Sequence, residues 1–247
     1  VLFLSGLVGV IDDLLGWKNG GLSKKFRLFL ALIASIPLVV INAGSSSISI
    51  PFIGSISIGI LYPLVLIPLA IVGASTTFNF LAGFNGVEAG QGILILGFLS
   101  LVAYATGIEW LAFIGMLFVI SLLGFLIFNF YPAKVFPGDI LTYSTGAMIA
   151  IMAIVGNFEK IALFVFIPYI LEVGLKSRGK LKVYSFGIPN KNNSLKMPKN
   201  KVYGLTHLAM FILSKFKTKV SEKQVVYFIW LIQIIFILLA MLIWFPL

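Results

Sequence analysis

Charged residues are missing from four long stretches of the chain: Leu28 to Val87, Trp110 to Ala133, Ile140 to Phe158 and Val225 to Leu247. A bilayer core about 30 Å thick is crossed by about 20 apolar helical residues, so each stretch can supply one or two crossings. The pattern predicts spans near 1–11, 28–42, 60–78, 93–107, 110–130, 140–156, 160–175 and 225–246. The expected fold class is therefore an all-α polytopic membrane protein with about eight transmembrane segments. The first is partial, because the apolar run from Val1 stops at Asp12. Residues 1–247 read as a single transmembrane domain, truncated at its N-terminus. A cleaved signal peptide is a poor alternative, since no basic region or small-residue cleavage site precedes the carboxylates.

Between the crossings the pattern changes. Ser45 to Ser57 alternates polar and apolar residues, punctuated by Gly44, Pro51, Gly54 and Gly59, and predicts a small β-hairpin in an outer loop. Residues 176–224 form a basic cytoplasmic loop, partly extended from Lys176 to Ser194. Within it Leu205, Leu208, Ala209, Ile212 and Phe216 recur at helical spacing near Lys215, Lys217 and Lys219, which predicts a helix lying on the membrane surface.

Composition agrees: 60% of residues are hydrophobic, 11% are charged and the mean hydropathy is +1.10, which excludes a soluble globular chain of this length. The absence of cysteine excludes disulfides and thiolate metal sites. The net charge of +10 has a topological explanation. If the spans alternate in direction, 12–27, 79–92, 131–139 and 176–224 share one side. Lys18, Lys24, Lys25, Arg27, Lys134 and the twelve Lys and Arg residues from Lys176 to Lys223 fall there, and only Lys160 lies opposite. The positive-inside rule makes that side cytoplasmic. Base-reading elements on a soluble scaffold are absent, so nucleic acid is not an expected partner.

Polar chemistry gathers in four places on the same side. Asp12 and Asp13 could bind a divalent cation, orient a substrate or accept a proton, or could simply end a helix in solvent. Asn79 to Gly92 combines glycines with Asn79, Asn85 and Glu88, as a substrate loop or an ordinary interhelical connection would. In Asn129 to Asp139, Phe136 could stack on a planar ring and Asp139 could be a ligand or a helix cap. His207 is the one histidine, which excludes His-rich metal catalysis and suits a surface or packing role. Convergence of the Asp and Asn oxygens on one face, with lysines around them, suits Mg²⁺ or Mn²⁺ and a phosphorylated substrate.

These residues resemble, in order along the chain, the polyprenyl-phosphate N-acetylhexosamine-1-phosphate transferases (glycosyltransferase family 4). The resemblance rests on Asp12-Asp13, on Asn79 to Gly92, on Tyr131 to Asp139, and on Ser221-Glu222-Lys223-Gln224 before the last apolar span. Asn85-Gly86, where bacterial relatives usually have Asp-Gly, is similar to the archaeal and eukaryotic branch. That branch uses UDP-N-acetylglucosamine and dolichyl phosphate. The resemblance implies transfer of N-acetylglucosamine-1-phosphate to a polyprenyl phosphate in the bilayer with release of UMP, the first step of lipid-linked oligosaccharide synthesis for N-glycosylation. It implies Asp139 and Asn79 as Mg²⁺ ligands, and Asp12 and Asp13 as catalytic residues that orient the site, one of them able to take a proton. Arg27, with Lys24 or Lys25 as rivals, would contact phosphate. Asn85 and Phe136 would hold uracil, with Gly86 and Glu88 beside them in the substrate loop. The resemblance also implies a cytoplasmic active site and leaves room for a homodimer.

Two departures accompany it. The family's first spans and an early glycine-proline loop have no counterpart here. Where eukaryotic members carry an Arg-His-Arg stretch near the sugar, this chain reads Ser185 to Asn190. The rival reading is a secondary transporter or channel with a cytoplasmic-side site. It predicts polar residues near the membrane midplane in two related repeats, whereas the acidic residues here lie at span ends and no internal repeat is evident.

Overall fold

A computed structural model describes residues 1–19, 21–45, 47–50, 54–190, 194–198 and 201–245, with the backbone alone for 17–19, 47–50 and 54–56. Pro51, Lys191 and Lys199, which entered the sequence reading, lie outside the described residues, as does the side chain of Lys18.

The apolar stretches are helices. α1 is Leu2–Asn19, α2 Lys24–Val40 and α3 Ile67–Phe80, the last entered through a π-helical turn at Tyr62–Leu66. α4 (Val87–Ala105), α5 (Glu109–Asn129) and α6 (Asp139–Gly156) follow, then α7 (Glu159–Val165), α8 (Ile167–Arg178), α9 (Leu205–Phe216) and α10 (Glu222–Trp244). Local signals set several starts. Ser23 caps α2 by accepting from the Phe26 amide at 3.3 Å, and Ser221 and Gln224 form a capping box at the head of α10.

Among the described residues, five helical segments are long and apolar enough to cross a bilayer: Tyr62–Phe80, Val87–Ala105, Glu109–Asn129, Asp139–Gly156 and Glu222–Trp244. The molecule is an integral membrane protein. The single span expected at 160–175 is divided at Phe166, two residues before Pro168, into α7 and α8. Proline lacks the amide donor a continuous helix needs, and here it sits in the first turn of a new helix instead.

Two boundaries differ from the sequence reading. α1 does not end at Asp12 but carries both carboxylates within its last two turns. α4 starts at Val87, so Glu88 to Gly92 are helical rather than loop. The predicted hairpin is present: β1 (Ser47–Ile50) pairs antiparallel with β2 (Gly54–Ser57), Ser47 opposite Ser57. A second two-residue ladder, β3 (Ile188–Pro189) with β4 (Leu195–Lys196), lies in the basic loop.

α6 is the centre of the bundle, with α1, α3 and α4 packed around it. α2 lies on α3, α5 and α10 lie on α4, and α9 rests on α10. Small residues permit close approach, as in other membrane bundles. A Cβ on Gly9 of α1 would overlap the backbone of Ile140 at the start of α6. Large apolar side chains on α5 and α10, among them Trp110, Phe113, Leu231 and Leu242, are exposed, as surfaces facing lipid should be. α9 forms where expected, but Leu205, Thr206, His207, Ala209 and Met210 are its buried face and Phe216 is exposed. The helices alternate in direction. α1, α3, α5 and α8 bring their C-terminal ends, and α2, α4, α6 and α10 their N-terminal ends, to one face of the bundle.

Candidate active site

Carboxylates at a bundle's end need neutralising partners, and each of the three aspartates has its own. Asp12 is inside the protein, its side chain 2% exposed. It accepts from the Leu22 amide at 2.6 Å and pairs with Arg27 Nε at 2.9 Å. The single hydrogen of that Nε donates to the Leu22 carbonyl at 3.1 Å, so the contact with Asp12 is an ion pair. Its Nη1 lies 3.5 Å from Asp139 Oδ2. Asp12 and Asp139 are thus neighbours flanking one guanidinium. Asp139 Oδ1 accepts from Asn79 Nδ2 at 2.7 Å, and its side chain is 26% exposed. Of the two carboxylates on Arg27, Asp139 is the one a ligand can reach.

Asp13, one residue along α1, points differently. Its carboxylate accepts the amides of Asp139 at 2.8 Å and Ile140 at 3.2 Å, capping α6 from another helix. A negative charge at that N-terminus is favoured by the free amides and the helix dipole. Asp13 therefore fixes the backbone that carries Asp139.

This network borders a cavity of about 1020 Å³, wide enough for a nucleotide sugar. Arg27, Lys24, Thr76, Asn79, Asn85, Glu88, Phe136 and Tyr143 line it, and on the far wall Lys176 and residues 181–186 do so. The Phe136 ring is 72% exposed, free to stack on a ligand. Lys24 Nζ donates to the Leu181 carbonyl at 3.2 Å, bridging the two walls. Lys25 is exposed and Gly86 is the N-cap of α4 with φ +91°, a left-handed conformation that glycine adopts freely; neither lines the cavity. Glu88 is buried, with Oε1 accepting from the Gly83 amide at 2.8 Å.

The far wall stands on a buried group that the sequence did not single out. Glu172 of α8, fully buried, accepts from the Leu205 amide at 2.5 Å and pairs with Lys176 at 3.6 Å; Lys176 also donates to the Phe80 carbonyl. Ser185 Oγ donates to the same carbonyl at 3.2 Å, and Thr206 Oγ1 donates to the Ser185 carbonyl at 2.8 Å. Burial pushes the His207 imidazole below its ordinary value of 6.5, and the nearby Lys176 charge acts in the same direction. Its Nδ1 faces the Tyr203 amide at 3.4 Å, so His207 is a packing residue outside the cavity lining.

A second cavity of about 430 Å³ opens on the side of the bundle between α3, α6, α7 and α8. It is almost wholly apolar. Leu69, Leu163 and Ile170 on its rim are exposed, so it faces lipid. α3 and α8 contribute to both spaces: Gly73 and Thr77 line the groove and Thr76 and Asn79 the cavity, while Val173 lines the groove and Lys176 the cavity.

Among the described residues no group of three or more His, Cys, Asp or Glu gathers as a metal cage. Mg²⁺ does not require one, since it is held by one or two carboxylates with waters and substrate phosphates. Asp12 and Asp139 share one guanidinium, leaving an excess of negative charge beside the Asn79 side chain, which turns its Nδ2 toward Asp139. That charge suits a hard divalent cation at Asp139.

The sequence profile of glycosyl transferase family 4 matches residues 1–157. A Sulfolobus acidocaldarius protein provisionally named UDP-N-acetylglucosamine–dolichyl-phosphate N-acetylglucosaminephosphotransferase is 37% identical over 238 residues, 95% of this chain and 69% of that protein. A Saccharolobus solfataricus protein of the same provisional name is 38% identical over 239 residues, 96% of this chain and 71% of its own length. The Dictyostelium discoideum enzyme of that name is 31% identical over 199 residues, 67% of this chain and 47% of its own.

Proposed function

Since the chain belongs to glycosyl transferase family 4, we propose that it transfers N-acetylglucosamine-1-phosphate from UDP-N-acetylglucosamine to a dolichyl or related polyprenyl phosphate. An oxygen of the lipid phosphate attacks the phosphorus next to the sugar. The bond from that phosphorus to the bridging oxygen breaks, and UMP leaves with that oxygen. The products are the lipid diphosphate sugar and UMP.

The observation that carries this reading is the pair of cavities lined by neighbouring residues of α3 and α8. A polar chamber lined by Arg27, Lys24 and Asn79, the last bonded to Asp139, lies near an apolar groove open to lipid, which is what one polar and one membrane-bound substrate need. Arg27 and Lys24 take phosphate oxygens, Arg27 being the more directional because Asp12 and the Leu22 carbonyl hold its fork. Asn85 and Phe136 take the uracil. Asp139, with Asn79 turned to present its amide oxygen, would hold Mg²⁺ or Mn²⁺, which would neutralise charge on the donor diphosphate. Asp13 keeps Asp139 in register. A lipid phosphate is largely ionised near neutral pH, so attack needs no dedicated base. In this reading α1, α2 and the α7–α8 pair complete eight crossings, and the active face is cytoplasmic, where the basic residues lie.

The test is UMP release from UDP-N-acetylglucosamine by the purified protein with polyprenyl phosphate, with Mg²⁺ and after chelation, in the parent and in Asp139→Asn. Release that needs both lipid and metal, and that is lost in the variant, is the expected result. A folded parent that releases no UMP under these conditions overturns the proposal.

A further inference from the structure

Glycine-rich loops at helix starts often serve as phosphate cradles, because their free amides converge on an anion. The loop between α3 and α4 has that composition, but three of its amides are already committed. Gly83 N donates to Glu88 Oε1 at 2.8 Å, Asn85 N to Glu222 Oε1 at 2.7 Å, and Gly86 N to Asn129 Oδ1 at 3.0 Å. The three acceptors belong to α4, α10 and α5. With these donors taken from behind, what the loop can offer the cavity is the Asn85 side chain and backbone carbonyls, groups that suit a nucleobase edge rather than a phosphate.

Asn129 does more than hold Gly86. Its Nδ2 donates to the Val135 carbonyl at 2.9 Å, immediately before Phe136. One fully buried amide therefore ties the loop of Asn85 to the loop of Phe136, and Asn129 itself does not line the cavity. Glu222, at the head of the last helix, fixes the same loop from the opposite side of the chain's length, and it too is outside the lining.

We propose that Asn129 and Glu222 are positioning residues for the nucleobase: together they set the separation and orientation of Asn85 and Phe136, and so the preference for uracil. The inference rests on the transferase reading above. It assigns neither residue a contact with substrate. An amide is required at position 129, because it must accept from one loop and donate to the other. At position 222 an acceptor alone is enough.

The test uses the full chain in detergent, with steady-state UMP release and calorimetric titration of UDP and CDP. Asn129→Asp keeps the acceptor for Gly86 but turns the donor to Val135 into an oxygen that repels it. Glu222→Ala removes its acceptor, and Glu222→Gln retains one. The expected result for Asn129→Asp and Glu222→Ala is a rise of about tenfold in KM for UDP-N-acetylglucosamine, with matching loss of UDP affinity. The preference for UDP over CDP narrows, KM for polyprenyl phosphate stays within about twofold, and Glu222→Gln recovers most of the loss. Parental nucleotide KM in both variants, or an equal rise in both KM values, overturns the inference while leaving the transferase intact. A parent that neither binds UDP nor releases UMP removes the transferase reading and this one with it. Should Asn129→Asp fail to fold, the Glu222 pair decides alone.

Discussion

Asp13 is the residue at which geometry and family analogy give the sharpest opposing outcomes. Both of its oxygens accept backbone amides of α6, from Asp139 at 2.8 Å and Ile140 at 3.2 Å. A helix cap of this kind stabilises by about 1 kcal/mol and up to about 2, and a negative charge at the helix start adds about 0.3–1 kcal/mol. Asp13→Ala loses both bonds and the charge, so it should cost about 2 kcal/mol. Asp13→Asn keeps one acceptor oxygen and should cost about half of that. In a chain of this size 1 kcal/mol corresponds to roughly 2–4 °C in thermal midpoint, so the alanine variant should melt about 4–8 °C lower and the asparagine variant about half as far. Turnover should follow the same order, with Asp13→Asn losing no more than about tenfold, because the α6 backbone that carries Asp139 stays nearly in place. The assay is UMP release beside a detergent melting curve for each variant. If Asp13→Asn melts like the parent yet loses about 100-fold or more in turnover, the carboxylate is accepting a proton and the capping account is refuted.

Two further outcomes follow from the groove and from α9. Gly73 lines the apolar groove with nothing within 4 Å of where a Cβ would sit. Gly73→Leu should therefore fold normally but raise KM for polyprenyl phosphate about tenfold at unchanged KM for UDP-N-acetylglucosamine; equal effects on both substrates would contradict the assignment of the groove. His207 is held below its ordinary value of 6.5 by burial, so as pH falls through that value the unfolded chain takes up a proton that the folded protein resists. Stability should decline as pH falls through 6.5, and the decline should flatten in His207→Gln; an identical slope in that variant would assign the effect to other groups.

The crossings were legible in the sequence because lipid demands long uncharged helices, and Asp12, Asp13, Asn79, Asn85 and Asp139 were legible as a convergent set once the spans alternated, while Arg27 entered only through the resemblance. What stayed hidden depends on partners distant in the chain. Asp12 and Asp13 read as a helix terminus because two carboxylates inside an apolar helix look untenable. Arg27 and the amides of α6 make them tenable, and neither pairing has a local signature. Glu88 looked like a loop residue because the glycines around it masked the helix start at Val87. Asn129 could be seen as the first residue of a motif, but its double role requires knowing that the 79–92 and 131–139 segments lie against each other. Glu172 gave no signal, since a lone acid near a basic loop reads as solvated. The division of α7 from α8 was missed, because a proline inside an apolar span can equally be a tolerated kink.

The groove's open flank has a consequence for how this chain meets its lipid. Exposed Leu69, Leu163 and Ile170 leave it accessible along the plane of the membrane, with no need for the acceptor to enter water. Encounter with that substrate is then a two-dimensional search, governed by how many acceptor molecules share each patch of membrane, while the nucleotide arrives from bulk solution in three dimensions. Adding empty detergent or carrier lipid at constant total acceptor dilutes only the first of these. The rate should accordingly scale with the acceptor's mole fraction in the membrane phase, and be indifferent to its concentration per litre.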